Sequence, residues 1–483
     1  GVRNNLSDPP SYSGNVEIEL HGSSTLWLPK KSYGIQTLDA LGQKVNVPLF
    51  GLPEEHDWIF KAQYQDKSLV RDELTFNISQ QMGNYSSRTK FFEMVVDGDY
   101  RGVYHLEEKI KRDVNRVDIS KLKAEEIVGD DVTGGYIIRL DKKEWDDEGW
   151  YSNFNSNITN DSANFFLYTY PKPDSMPFEQ KEYIKNYMHS FEAALTSPTF
   201  ADPVNGYSKY INVPSFVDFF LMNEMSRNVD GYRASTYMFK DKDSNGDGKL
   251  HMGPIWDFNL AWKNASYNGG SSSTGWQYQT FATEYYVPFW WWQLMSDPNF
   301  ANQLKCRYQS LRTNVLSIPR INQLLDSMAI YLDESQIRNF NRWPIMGSAI
   351  YPNPIPVPAN YAGEIQQIKT YVLDRLSWLD ANMPGTCTVG IEEEQEEKSL
   401  IRSYPNPFNN SFTILYNIPV AGTIRIELMN MLGERAMMVT EGTKAAGNYE
   451  ETIVPVDVSA GMYVIKMTVN GSVYYKKIIK NGD

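Results

Sequence analysis

Cysteine is nearly absent: Cys306 and Cys387 are the two in 483 residues. So few thiols exclude a structural zinc cluster and give a thiol enzyme little support. Two readings stay open for the pair, buried free thiols or one disulfide joining "ANQLKCRYQSLR" to "NMPGTC". Histidine is scarce as well, and His21, His56, His105, His189 and His251 show neither metal-ligand spacing nor an adjacent serine-nucleophile motif. Positive charge is in deficit, 46 Lys and Arg against 59 Asp and Glu, for a net charge of −13. Nucleic acid is excluded as a partner, because its binding needs a concentrated basic footprint. The acidity favours a soluble chain and bound cations. There is no run of about 18 apolar residues, so no transmembrane span is expected. Initiator methionine and signal peptide are missing too. The opening "GVRNNLSDPPSYSGNVEIELHGSS" reads as a processed or truncated start, and its lack of a signal says nothing about compartment.

What is present describes a globular protein of two or three domains, 41% hydrophobic and 13% aromatic. Residues 15–140 alternate short β patterns with turns: "NVEIELHG", "KKSYGIQTL", "KFFEMVVDGDYRGVYHLEEKI" and "GGYIIRLDK". The third is a hairpin turning at Asp97-Gly98-Asp99. One helix interrupts the series, "KSLVRDELTFNISQQMG", stopped by Gly83. From about 180 the apolar spacing becomes helical in "EQKEYIKNYMHSFEAALTS", "VPSFVDFFLMNEMSRN", "PNFANQLKCRYQSLRTNVLS", "PRINQLLDSMAIYLDES" and "AGEIQQIKTYVLDRLSWLDANM". The acidic run "IEEEQEEKS" then suits a linker, and 401–483 reads as short strands of a small sandwich. The expected class is α+β, an antiparallel sheet lobe plus a mainly helical lobe, followed by an all-β sandwich.

Chemistry concentrates in "NVDGYRASTYMFKDKDSNGDGKLHMGPIWDFN", a hairpin inserted among the helices. Pairing "RASTYMFKD" with "KLHMGPIWDF" returns Asp230 and Asp257 to the same end, where two carboxylates can act as base and metal ligand. The plainer reading has Asp230 capping a turn and Asp257 accepting backbone N–H bonds. The tip, Asp241, Asp243, Asn245, Gly246 and Asp247, imitates an EF-hand start. Met252 falls where the bidentate Glu belongs, so a tight polar turn explains it. Upstream, "LHGSSTLWLPKKSYGIQ" sets a Gly-Ser loop before Lys30 and Lys31, an arrangement that holds phosphates or is simply a solvated edge. Glu107 or Glu108 is available to pair with such a lysine, and Arg71 is a further cation or a surface ion pair. Trp290, Trp291 and Trp292 are a packed core or a sugar platform.

Taken together, "RGVYHLEEKIKRD", "DWIFKAQYQDKSLVRDEL", "GDDVTGGYIIRLDK", "NVDGYRASTYMFKDKD" and "GPIWDFNLAW" resemble the CotH family, the spore-coat-H-like atypical protein kinases. The likeness runs from about residue 15 to 385, with the motifs in matching order. The tail, "YPNPFNNSFTILYNIP" through "GMYVIKMTVNGSVYYKKIIK", resembles the type A sorting domain of type IX secretion. These resemblances imply a kinase-like domain over 1–388, an acidic linker over 389–400 and a sorting sandwich over 401–483. They imply ATP with Mg²⁺ or Mn²⁺, a Ser/Thr acceptor on a protein, the type IX machinery as partner, and a secreted or outer-surface location in a Gram-negative bacterium.

By resemblance, Asp230 is the catalytic-loop aspartate, and Asp257 with Asn259 holds the metal. Ser23, Ser24, Lys31, Arg71 and Glu108 attend the nucleotide, with Lys31 paired to Glu108. Three positions depart from the pattern of many members. His21 opens the first loop in place of Arg, Ser235 replaces an Asn, and Asn259 replaces the last Asp of Asp-Phe-Asp. A non-catalytic surface protein on a degenerate kinase-like scaffold is therefore the competing expectation, with a Ca²⁺-stabilised structural protein behind it.

Overall fold

Alternating apolar and polar residues through the first hundred positions build an antiparallel sheet in the computed structural model. It describes residues 10, 12–155, 163–280, 287–387, 401–418, 421–430, 435–455, 458–470 and 472–481. Strands β1 (Asn15–His21), β2 (Ser32–Leu38), β3 (Asp57–Ala62), β4 (Thr89–Val96) and β5 (Asp99–Glu108) pair in the order β1-β2-β3-β5-β4. Val96 pairs with Asp99 across Asp97 and Gly98, both at positive φ, which is the expected hairpin turn. Ile35, Trp58 and Leu106 fill one face of this sheet against Leu49 and Leu52. Helix α1 (Arg71–Gln81) crosses between β3 and β4 and ends just before Gly83, as its sequence predicts.

A second five-stranded sheet lies within the part expected to be mainly helical. It is built from β6 (Tyr136–Leu140), β7 (Gly149–Asn155), β8 (Ala163–Tyr170), β9 (Thr236–Lys240) and β10 (Leu250–Met252), in the order β10-β9-β6-β8-β7. The "GGYIIRLDK" strand, grouped by sequence with the first sheet, is the centre of this second one. Its residues explain the placement. Ile137 and Ile138 point to opposite faces and each joins a different core cluster, so only a central position buries both.

Helices α2 (Phe178–Thr196), α3 (Val213–Ser226), α4 (Trp290–Ser296), α5 (Pro298–Arg312), α6 (Ile318–Tyr331), α7 (Asp333–Arg342) and α8 (Tyr361–Asn382) complete this unit. Helix α3 is buried nearly all round, and Asn212 caps it by accepting the Ser215 N–H at 3.0 Å. Trp290 and Trp291 are core residues, 0% and 1% exposed, which settles the tryptophan run as packing. Cys306 on α5 and Cys387 beyond α8 form a disulfide.

Residues 1–387 and 388–483 are separate compact units; the expected linker at 389–400 lies outside the described residues. In the second unit, β11 (Ile401–Tyr404), β12 (Phe412–Ile418) and β15 (Gly447–Ile453) form one antiparallel sheet. A second contains β13 (Gly422–Asn430), β14 (Arg435–Lys444), β16 (Gly461–Val469) and β17 (Ser472–Lys480). Ile414, Tyr416 and Ile418 meet Ile426, Leu428 and Ile465 in a shared core, a small β-sandwich.

Candidate active site

The site is assembled around Lys61, a residue the sequence reading passed over. Strand β3 delivers its ammonium 2.8 Å from Asp257 Oδ1 and 3.0 Å from Asp72 Oδ2. Burial disfavours the charge, but Asp257, Asp72 and Glu107 outweigh it and hold the ammonium protonated well above its ordinary range. Asp72, in the first turn of α1, is fully buried. Its other oxygen accepts the Phe258 N–H at 2.7 Å, and the Gln63 side chain donates to Oδ2 at 2.9 Å. One carboxylate thus ties the first sheet, α1 and the segment after β10 together.

That segment is riveted in place. Gly253 N–H donates to the Tyr237 carbonyl at 2.8 Å and Trp262 N–H to the Ser226 carbonyl at 2.8 Å, while the Trp262 indole donates to Thr75 Oγ1 at 2.7 Å. Within it Asp257 takes a left-handed backbone, φ 63°, a conformation costing about 1–3 kcal/mol for such a residue. In this conformation the carboxylate meets Lys61, with its side chain 36% exposed. Asp257 is therefore a half-exposed, ion-paired group, not a buried acceptor of backbone bonds.

Asp230 enters from the loop after α3. Arg233 donates to its Oδ1 at 3.0 Å, and Asn228 Oδ1 accepts the Asp230 N–H at 3.1 Å. Burial pushes the Asp230 carboxyl upward, Arg233 counters, and the Asp257 charge adds to the rise. Asp230 and Asp257 accordingly share one electrostatic neighbourhood, as the hairpin argument requires. The same neighbourhood holds His21, which burial, Lys61 and Lys109 depress to about 4, so the imidazole is neutral near pH 7. His21 leads into the exposed Ser23 and Ser24. Gly22 between them sits at φ 104°, where a Cβ would lie 2.6 Å from Thr25 Oγ1.

One expected pairing is not made, and Glu108 and Arg71 are engaged in structural contacts. Lys31 does not meet Glu108; its ammonium donates to the Leu26 carbonyl at 2.5 Å, within its own loop. Glu108 instead binds Arg88, at 2.7 and 2.8 Å. Arg71 is 0% exposed, bonded to Asp66 and Ser68, and is a structural cation at the start of α1 rather than a cleft residue. The physical reason is strand periodicity: Glu107 and Glu108 point to opposite faces, and Glu107 shares the Lys61 face through the Ile59↔Glu107 register. Glu107 is fully buried with both carboxylate oxygens lacking a hydrogen-bond partner. Burial, with Asp72 and Asp257 adding and Lys61 opposing, pushes it up to about 8. Asn259 contributes its carbonyl to Asn264, at 2.7 Å.

Two other acidic clusters are internally satisfied. Lys111 lies 3.0 Å from Glu55 and 2.8 Å from Asp57, beside His56. At the β9–β10 tip, Asp241 accepts from Ser120 N–H and Asn245, and Asp243 from Lys240. That tip is a hydrogen-bonded turn, as read from its composition.

Residues 18–379 match the family model described as CotH kinase protein. The chain belongs to the CotH kinase protein family. Residues 402–481 of this CotH protein match the secretion system C-terminal sorting domain. The tail therefore makes the protein a secreted or outer-surface protein of a Gram-negative bacterium and implies engagement with the type IX secretion machinery. No described helix is long and apolar enough to cross a membrane. No curated protein matches the chain. Among solved structures, the Pseudomonas fluorescens alkylpurine DNA glycosylase AlkC, bound to DNA containing an abasic site analog, is 12% identical over 39% of the CotH chain. The alignment spans 54% of the glycosylase at a TM-score of 0.13, which bears on neither fold nor function.

Proposed function

We propose that this CotH protein phosphorylates Ser or Thr on secreted or surface proteins, using ATP and a divalent cation. The β1–β5 sheet with α1 then serves as one lobe of a kinase-like fold, and the α2–α8 region with the second sheet as the other. The observation that carries this reading is Lys61 joined to both Asp72 and Asp257, with Asp230 in the same electrostatic neighbourhood. Phosphoryl transfer needs a lysine and a metal to neutralise phosphate charge and a carboxylate to orient the hydroxyl.

The donor set suits the co-substrate. Asp257, Asn259 and Asp230 offer only oxygen ligands, the chemistry preferred by Mg²⁺ and Mn²⁺. Asp257 and Asn259 would hold the cation, and the His21–Ser24 loop with Lys61 would receive phosphate. When bound, Mg-ATP supplies the phosphoryl group and the charge that withdraws electrons from it. Asp230 would orient the acceptor hydroxyl and take up its proton as the γ-phosphoryl group passes to that oxygen and ADP leaves, with Arg233 steadying the carboxylate.

Purified protein incubated with Mg²⁺ and γ-labelled ATP should label itself or an added secreted protein, and Asp257→Ala should abolish labelling. Equal labelling by the variant sinks the assignment. The competing reading, a non-catalytic surface binder, draws on the neutral His21 and on Ser235 and Asn259 standing where a charge or stronger ligand is expected. A melting temperature that ignores Mg-ATP but rises with a glycan favours it.

A further inference from the structure

Strand β1 is the outer strand of the first sheet, and among the described residues it pairs on one side only, with β2. The register runs from Asn15↔Leu38 to His21↔Ser32 through seven residues without a shift. The other edge therefore presents a regular row of backbone N–H and C=O groups. Such edges are ordinarily blunted by lysine, proline or a bulge, and Asn15–His21 carries none of these.

Alternation divides the strand into two rows of side chains. Val16, Ile18 and Leu20 stand beside Thr37, Ile35 and Tyr33, on the face where Leu49 and Leu52 pack over Ile35, Trp58 and Leu106. That cover stops short of β1, whose three apolar side chains are 47%, 50% and 58% exposed. Glu17, Glu19 and His21 make the other row. Through Glu19↔Gly34 and Gly34↔Ile59 this row shares the face of Ile59 and Lys61, with β1 two strand spacings, about 10 Å, from β3. Glu17 and Glu19 are exposed, and neither forms an ion pair among the described residues.

The two rows select the occupant of the edge. A second copy of the chain pairing antiparallel through β1 would set Glu17 and Glu19 beside their own counterparts on one face, and like charges across a ladder are destabilising. A strand whose side chains alternate apolar with Lys or Arg meets both rows at once, covering Val16, Ile18 and Leu20 and pairing with Glu17 and Glu19. We propose that the free edge of β1 is a docking site for the acceptor protein, which adds an extended segment of alternating apolar and basic residues as a sixth strand of the sheet. The inference rests on the kinase reading above and names the substrate class for it. Strand β1 ends at His21, so a segment held along it lies beside the His21–Ser24 loop.

Binding is measured on the full chain, without nucleotide, by fluorescence anisotropy of two labelled peptides of one composition, Lys-Val-Lys-Ile-Lys-Val-Lys and Lys-Lys-Lys-Lys-Val-Ile-Val. The alternating peptide should bind about 10-fold more tightly. Glu17→Lys/Glu19→Lys should weaken it about 10-fold and gain affinity for Glu-Val-Glu-Ile-Glu-Val-Glu, a reciprocal change that misfolding does not produce. N-methylation of one alternate set of peptide amides, and not of the other, should abolish binding, because only one set faces β1. With Mg²⁺ and γ-labelled ATP, a Ser-bearing segment joined to the alternating peptide should show a lower KM than one joined to the scrambled peptide, with kcat unchanged. Equal affinity for the two peptides, or no loss in Glu17→Lys/Glu19→Lys, overturns the docking edge and leaves the kinase reading standing. A dimer that Ile18→Lys dissolves assigns the edge to a second copy and overturns it as well. Docking without phosphate transfer to the Ser-bearing peptide overturns the acceptor assignment, and if no other protein is labelled the kinase reading falls with it.

Discussion

Replacing Glu107 by Gln tests the electrostatics of the site without disturbing its shape. Glu107 is fully buried, has no hydrogen-bond partner for either oxygen, and titrates at about 8 instead of 4.5. The native protein thus holds a proton that the unfolded chain releases across that interval. Stability must fall as pH rises from about 4.5 to 8, by at most about 1.4 kcal/mol per pH unit. Across the whole window the displacement corresponds to roughly 4–5 kcal/mol. Glutamine does not titrate, so Glu107→Gln removes this component alone. Glu73 and Glu192, both pushed to about 7 by burial, slope the same way and persist in the variant. All 12 tryptophans precede residue 388, so their fluorescence during urea unfolding reports the first unit only. Measured from pH 5 to 8, the variant should show the shallower pH dependence and gain on wild type as pH rises. Superimposable pH curves would refute both the protonated Glu107 and the charge distribution drawn around Lys61.

Lys61→Met should abolish labelling and lower stability by about 3–5 kcal/mol, since it strands Asp72 and Asp257 without their shared cation; retained labelling would remove Lys61 from the site. Opening the Cys306–Cys387 disulfide, which closes 81 residues of chain, should cost about 4 kcal/mol. Unfolding Cys306→Ser/Cys387→Ser against wild type checks that figure, and equal denaturation midpoints would contradict it.

Local signals in the sequence carried far, and non-local ones did not. The Asp97-Gly98 turn and the Gly83 stop were legible because they depend on a few neighbouring residues. The Asp230–Asp257 convergence was legible because a single hairpin enforces it. Lys61 was not, because a lysine in a strand reads as a solvated edge until the partner strands and α1 are known. The choice between Glu107 and Glu108 turned on which face β5 presents, a register property shared by five strands. Helix α7 was merged with the end of α6 because only Leu332 separates them.

The disulfide has a bearing on what happens after export. Cys387 is the last residue of the first unit, and the residues before it are pinned along α5. Lys305 reaches the Met383 carbonyl at 3.1 Å, Asn302 accepts the Thr386 N–H at 2.7 Å, and Gly385 sits so close to Ala301 that a Cβ would fall 2.2 Å from its carbonyl oxygen. A protease that removes the sorting domain anywhere beyond Cys387 therefore leaves a sealed end, with α8 unable to unravel from the cut. The address label can be torn off without loosening the parcel.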